Sequence, residues 1–166
     1  MKINTIFFFV IGASILFVGV AYYMLSTPSK PQTQILSYNS QDKEKPKAEL
    51  GETSQDIGKI KVSDKKEVDF VIKNSGNKNL QLSQITSSCG CTSGKILYNG
   101  KESKEYSMHA QSDDVFEIAP NTQATLRLTY RPFTMPVYGA LTREVYVTTN
   151  DPSNPKLVFQ IKTFVE

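Results

Sequence analysis

The chain has 166 residues, a length that allows one ordinary domain and little more. It carries 19 Lys and Arg against 16 Asp and Glu. So small a positive excess argues against nucleic-acid binding, which usually shows a clustered basic face. Two Cys and one His exclude a disulfide scaffold and a His-rich metal site. By composition the chain divides into three unlike segments, 1–25, 26–55 and 56–166.

The first segment, 1–25, contains an apolar run without charged residues from Ile6 to Leu25. A helix of this length rises about 30 Å, the thickness of the hydrocarbon core of a bilayer. The run predicts an N-terminal transmembrane helix that acts as a membrane anchor. The alternative is a signal peptide, since Gly19-Val20-Ala21 offers the small residues of a cleavage site, but a signal peptide has only about 7–15 apolar residues. The predicted location is a cell membrane crossed once, with the C-terminal domain outside the cytoplasm.

The second segment, 26–55, is polar and contains three helix-breaking prolines, Pro28, Pro31 and Pro46. Few of its side chains could bury apolar surface, so the segment predicts a flexible linker. A partly ordered strand around Ile35–Tyr38 is the alternative, because short apolar runs often pack onto a neighbouring edge.

The third segment, 56–166, alternates between apolar and polar residues with a period of two, which places each apolar set on one face of a strand. The clearest sets are Val68, Phe70 and Ile72; Ala124, Leu126, Leu128 and Tyr130; and Leu157, Phe159, Ile161 and Thr163. Shorter strands are predicted at 57–62, 80–85, 92–97, 115–118 and 144–149. Turn signals separate them at 74–77, 120–121 and 150–152. Seven or eight short strands predict an all-β, immunoglobulin-like sandwich.

Two cysteines lie close together in Cys89-Gly90-Cys91. Side chains at i and i+2 of an extended chain point to the same side, and two converging thiolates suit a soft ion such as Cu(I). The pair could instead form a disulfide if Gly90 supplies a bend, and so small a ring would be redox-active. A third interpretation is structural, because free Cys is among the most buried residue types.

Three further potential ligands lie in predicted loops rather than on the alternating core face: Met108, His109 and Met135. Thiolate, thioether and imidazole groups are ligands that Cu(I) prefers. If the loops 97–114 and 133–139 fold over the Cys end, both Cys, the His and a Met could share one site. The alternative is a solvent-exposed His and a Met that fills a gap at the rim.

The sequence predicts no enzyme active site. His109 is the one conventional base and sits in no catalytic motif, and no Gly-rich phosphate loop follows a strand. No cofactor other than Cu(I) is expected.

Three motifs in the third segment occur together in one known family. Cys89-Gly90-Cys91-Thr92 follows a strand, the apolar strand from Phe70 ends in Asn74-Ser75-Gly76, and a Thr-Asn-Asp-Pro turn at 149–152 precedes the last strand. With these motifs, residues 57–165 resemble the bacterial domain-of-unknown-function family 1573, although Pro120-Asn121 stands where the family has Pro-Gly. The resemblance implies an immunoglobulin-like sandwich related to Hydin-type domains and an extracytoplasmic place in a bacterial envelope. It implies no function.

The favoured hypothesis is a membrane-anchored binding or scaffolding module of the bacterial envelope, held to the membrane through Ile6–Leu25. Its partner would be an envelope protein or glycan, bound through loops or an exposed edge strand. The alternatives are Cu(I) binding and thiol–disulfide exchange, both at Cys89-Gly90-Cys91.

Overall fold

The computed structural model describes residues 3–26, 34–110 and 114–166. Contacts divide the chain into two units, residues 1–32 and 33–166. The first unit contains helix α1, Ile3–Ser26, where side chains are described for residues 8–24 and for Ser26. The second unit contains the strands.

Helix α1 covers the apolar run, but it does not support the predicted location. Among the described residues, no helix combines the length and the apolar character that crossing a membrane requires. The prediction of a single-pass membrane protein with its C-terminal domain outside the cytoplasm is therefore wrong.

In the described part of the second unit, eleven strands form two sheets. In chain order they are β1 (Ala48–Leu50), β2 (Ser54–Ile60), β3 (Lys66–Asn74), β4 (Leu80–Ser87), β5 (Thr92–Tyr98), β6 (Lys101–Glu102), β7 (Tyr106–Ser107), β8 (Phe116–Ile118), β9 (Gln123–Tyr130), β10 (Gly139–Thr149) and β11 (Lys156–Val165). The first sheet has the order β1-β3-β9-β5-β6, with β7 also paired to β5, and the second has the order β2-β11-β10-β4-β8. The strands pair antiparallel except for β2 and β11, which run parallel.

The core lies between the two sheets, and the predicted alternation identifies it. Each of the three apolar sets read from the sequence is buried, while the residues between them are more exposed, apart from the buried Thr129. The Phe70 ring of β3 lies 5.3 Å from the Phe159 ring of β11, centroid to centroid, so the two sheets meet there. The predicted all-β sandwich is confirmed in its general architecture.

The strand count exceeds the prediction of seven or eight. All eight predicted strands are present, as β2–β5 and β8–β11, and the three others are short. Strands β6 and β7 have two residues each, and β1 has three. Strand β1 lies inside the predicted flexible linker 26–55, so the folded domain begins before the predicted boundary at residue 56.

Two motif residues explain why the segment before β2 is ordered. The buried carboxylate of Asp151 accepts a hydrogen bond from the Ala48 backbone N–H at 2.9 Å. The fully buried Asn74 accepts from the Gly76 N–H at 3.0 Å and from the Lys47 N–H at 3.4 Å. These two side chains supply partners for backbone groups that would otherwise be buried without one. The order of this segment could not be predicted from its polar composition, because it depends on side chains far along the chain.

The outer strands of both sheets are short or irregular. Strands β1, β6, β7 and β8 have two or three residues each. Strand β2 is longer, but Gly58 adopts a φ of 68° and the pairing register with β11 shifts beside it. Short strands and bulges are the features by which sheets avoid pairing with other chains. The edges are therefore poor candidates for strand addition by a partner.

Candidate functional site

The two cysteines lie in the turn between β4 and β5 and form a disulfide. Their Cα atoms are 5.3 Å apart, closer than the roughly 6.5–7 Å expected for i and i+2 on a straight strand. The chain bends at Gly90, and the Thr92 N–H donates to the Cys89 carbonyl at 3.3 Å. Cys91 is 2% exposed and packs in the core, whereas Cys89 is half-buried. Cys89 is therefore the more accessible sulfur of the pair.

The Ser87 hydroxyl connects the Cys turn to the loop that carries Met108 and His109. Its Oγ lies 2.8 Å from the Cys89 carbonyl and 2.7 Å from the Thr92 carbonyl, and it accepts a hydrogen bond from the Met108 N–H at 3.0 Å. Ser87 itself is buried. No role for Ser87 was predicted from the sequence, because a serine at the end of a strand carries no distinctive local signal.

Met108 and His109 form the tip of a tight turn. Ser107 and Ala110 exchange backbone hydrogen bonds of 3.1 and 3.2 Å, which leaves Met108 and His109 at the two central positions. Both side chains are exposed. The turn after β7 therefore presents a thioether and an imidazole beside each other at this end of the sandwich.

Met135 reaches the same place from a third loop. A 3₁₀ turn, Pro132–Thr134, follows β9, and the Met135 N–H donates to the Pro132 carbonyl at 3.2 Å. The loop is joined to the Cys turn because the Arg131 N–H donates to the Cys91 carbonyl at 2.8 Å. Backbone hydrogen bonds of the residues that directly follow β9 thus position the Met135 loop.

Two of the predicted site residues, His109 and Met135, lie beside Gly90. A Cβ atom placed at Gly90 would lie 3.5 Å from His109 Cδ2, 3.8 Å from His109 Nε2 and 3.7 Å from Met135 Sδ. The imidazole and the thioether sulfur therefore lie next to the residue between the two cysteines. Met108 shares the His109 turn, and its side chain is 41% exposed. Among the described residues, no three His, Cys, Asp or Glu side chains form a group that could hold a metal ion, so Cys89, Cys91 and His109 do not form one.

An ion pair flanks the disulfide. Arg131 donates to Glu105 at 3.0 Å and to the Ser93 hydroxyl at 3.2 Å. The Arg131 guanidinium, through its hydrogen bond and its charge, and the Ser93 hydroxyl hold the pKa of the Glu105 carboxyl below its ordinary value, against the opposing effect of burial. The two charges compensate each other, so the pair adds little net charge to this end of the domain.

Large apolar side chains are exposed on the loops around the disulfide. We call the following five residues the loop-end surface: Met108, Phe133, Met135, Val137 and Tyr138. Their exposed fractions range from 41% for Met108 to 66% for Tyr138. Contiguous exposed apolar surface on a folded domain marks interaction sites more often than isolated exposed residues do.

The fold and site define an all-β sandwich with a disulfide-closed turn at one end. Residues 48–105 match the model of a family described as a protein of unknown function, DUF1573, which confirms the resemblance predicted from the sequence. That family indicates no catalytic activity. No curated protein matches the chain in sequence.

Solved structures show similar folds. A protein of unknown function from Porphyromonas gingivalis W83 has a TM-score of 0.55 and 18% identity, over 84% of this chain and 51% of that one. This chain therefore spans about half the length of that protein. The PapD-like domain 7 of human CEP192 has a TM-score of 0.45 and 12% identity, over 84% and 98%. The Salmonella enterica SafA pilin in complex with the SafB chaperone gives 0.44 and 12%, over 72% and 55%.

Proposed function

We propose that this chain is a protein-binding module that holds an apolar segment of a partner protein against the loop-end surface. The observation that carries the proposal is the exposure of five large apolar side chains on loops that also frame the disulfide. Met and aromatic residues are enriched in protein interfaces, and flexible Met side chains adapt to partners of different shape.

Two features of the domain favour loops over strands as the binding element. The outer strands are short or irregular, so strand addition is disfavoured at the sheet edges. The ion pair of Arg131 and Glu105 beside the surface is internally compensated, with 3.0 Å between its charged groups. The surface therefore suits an uncharged apolar segment better than an ionic ligand.

The proposal can be tested with a displayed library of random peptides selected against the purified protein. We expect the selected peptides to be rich in apolar residues and to lose binding to a Val137→Ser/Tyr138→Ser variant. Val158→Ser is the matched control, because Val158 is 39% exposed but lies on β11, outside the loop-end surface. Peptides that bind the loop variant as well as the unchanged protein, or selection of glycans instead of peptides on an array, would contradict the proposal.

A second candidate function is thiol–disulfide exchange, which the unequal exposure of the two sulfurs favours. An incoming thiolate from a partner would attack the more accessible Cys89 sulfur, and Cys91 would leave as a thiolate. The partner's second thiol would then displace Cys89, so that the partner is oxidised and the pair reduced. Equilibration with thiol buffers of known potential tests this, and a disulfide that glutathione and dithiothreitol leave intact in the folded protein would exclude it.

A further inference from the structure

The three arginines of the chain differ in their charge partners. Arg127 pairs with Asp69 at 2.8 Å, and Arg131 pairs with Glu105 at 3.0 Å. Among the described residues, Arg143 has no carboxylate partner. We infer that Arg143 binds the carboxylate group of a ligand. This anion site does not rest on the proposed function, because Arg143 is not part of the loop-end surface.

The Arg143 side chain lies on the core face of β10. Side chains alternate along a strand, and Val145, two residues further on the same face, is fully buried. The guanidinium carbon lies 5.7 Å from the ring centroid of Tyr130, a fully buried residue of the opposite sheet. The adjacent Glu144 points to the other face, where it accepts a hydrogen bond from the Tyr146 hydroxyl at 2.5 Å. Arg143 is therefore separated from the carboxylate nearest to it in sequence.

Arg143 and Tyr130 carry two polar atoms that lack partners in the described part of the chain. These atoms, the Arg143 Nε and the Tyr130 hydroxyl, are both buried. Within the same residues the guanidinium donates to the Thr142 carbonyl alone, at 3.3 Å, although it carries five N–H donors. Buried polar groups are nearly always hydrogen-bonded, and Arg is almost never fully buried without a charge partner. An anion would supply both the acceptor and the charge.

The charge and shape of the site favour a carboxylate. A guanidinium binds a planar carboxylate through two parallel N–H···O bonds. One uncompensated positive charge matches the single charge of a carboxylate, whereas a phosphate group carries up to two. Lys66 is the Cα partner of Tyr130, but it already pairs with Asp64 at 3.5 Å. Arg143 is only half-buried, so a ligand reaches the guanidinium from the solvent.

The test follows the arginine Nε–H resonances of the ¹⁵N-labelled full chain by NMR, with acetate as the probe and chloride at the same ionic strength for comparison. We expect acetate to shift the Arg143 resonance to saturation and chloride to leave it in place. Arg127 and Arg131 are matched internal controls, because each already has a carboxylate partner, and their resonances should not move. An Arg143 resonance that stays in place, or that moves equally in chloride, would overturn the inference.

Two further probes identify the ligand. Inorganic phosphate should bind more weakly than acetate, and equal or tighter binding would overturn the assignment to a carboxylate. N-acetyl-aspartyl amide carries the same group on a peptide unit. Binding tighter than that of acetate would support a polypeptide ligand, and equal binding would support a small organic acid.

A variant gives an independent readout. Acetate should raise the Tm of the unchanged protein, because it binds the folded state. Arg143→Lys should lower the acetate affinity measured in this way by about tenfold, since lysine keeps the charge but lacks the planar fork. An equal rise in Tm in the variant would count against a guanidinium site. None of these results bears on peptide binding at the loop-end surface, which the library selection tests independently.

Discussion

The Asp151 carboxylate accepts a hydrogen bond from the backbone N–H of Ala48, 103 positions away, at a distance of 2.9 Å. The same carboxylate accepts from the Ser153 N–H and from the Asn154 side-chain amide, at 2.8 and 2.9 Å. One side chain in the turn before β11 thus holds the start of the domain as well as its own turn. Because one buried carboxylate accepts all three hydrogen bonds, replacing Asp151 tests their contribution to stability.

Replacing Asp151 by Ala should lower the free energy of unfolding markedly. The change leaves buried N–H groups without an acceptor, and each such group costs about 1–3 kcal/mol. Urea denaturation measures the loss. Asp56→Ala is the control, since Asp56 is exposed and its side chain accepts a local hydrogen bond from the Gly58 N–H. Equal stability of the two variants would refute the role assigned to Asp151.

The stability that the Asp151 carboxylate contributes to the domain should be lost in acid. Burial raises the pKa of its carboxyl, but hydrogen bonds from Asn154, Ala48 and Ser153 together hold that pKa below the ordinary value of 3.8. A carboxyl with a lowered pKa in the folded state contributes stability above the pKa of the unfolded chain, and this contribution is lost as the pH falls through the folded pKa.

The comparison with Asp151→Asn isolates this contribution. The difference in unfolding free energy between the unchanged protein and the variant should be constant near neutral pH and should shrink below about pH 4. Other carboxyls with lowered pKa values, such as Asp69 beside Arg127, are present in both proteins and cancel. A difference that is independent of pH would show that Asp151 does not titrate in this way.

Gly76→Ala should detach the segment before β2. A Cβ atom at Gly76 would lie 2.4 Å from the Lys45 carbonyl oxygen and 2.5 Å from the Lys47 nitrogen, so backbone has to move. Such overpacking costs about 1–3 kcal/mol. Hydrogen exchange should accelerate at the amides of Lys47 and Ala48. Gly51→Ala is the matched control, because nothing lies within 4 Å of its Cβ position, and unchanged exchange in both variants would contradict the close approach.

Ser87 and Ser83 offer a paired test on a single strand. Both are buried on β4, but Ser87 Oγ has three backbone partners, while Ser83 Oγ has none among the described residues. Ser87→Ala should destabilise the protein by about 1–3 kcal/mol, and Ser83→Ala should be neutral or stabilising. Thermal unfolding gives the stabilities. The Met108 amide should exchange faster in the Ser87 variant alone, and the same acceleration in the Ser83 variant would exclude a specific link.

The sequence predicted the strands well where local pattern and tertiary position agree. Val68, Phe70 and Ile72 alternate because one face of β3 is buried along its whole length, and the periodicity is therefore visible in the residues themselves. Strand β1 has no such pattern. Ala48 is fixed by Asp151 and by pairing with β3, and these contacts come from residues far along the chain.

The candidate site likewise combines features that could be predicted from the sequence with features that could not. Cys89, Cys91, His109 and Met135 could be singled out from the chemistry of their side chains, and the approach of their loops could be stated as a condition on loop folding. Whether the condition holds depends on Ser87 and on the backbone hydrogen bond from Arg131. Neither contact has a sequence signal, because a buried serine and a main-chain amide look the same in any strand or loop.

The parallel pairing of β2 with β11 has a consequence for how the domain forms during synthesis. The Thr163 hydroxyl donates to the Gly58 carbonyl across 105 positions, at 2.7 Å. A chain leaving the ribosome therefore exposes β2 long before its partner strand exists, and closing so long a loop is slow. The bulge at Gly58 then protects the nascent chain as well as the finished sheet, because an irregular strand is a poor template for a neighbouring polypeptide on the same polysome.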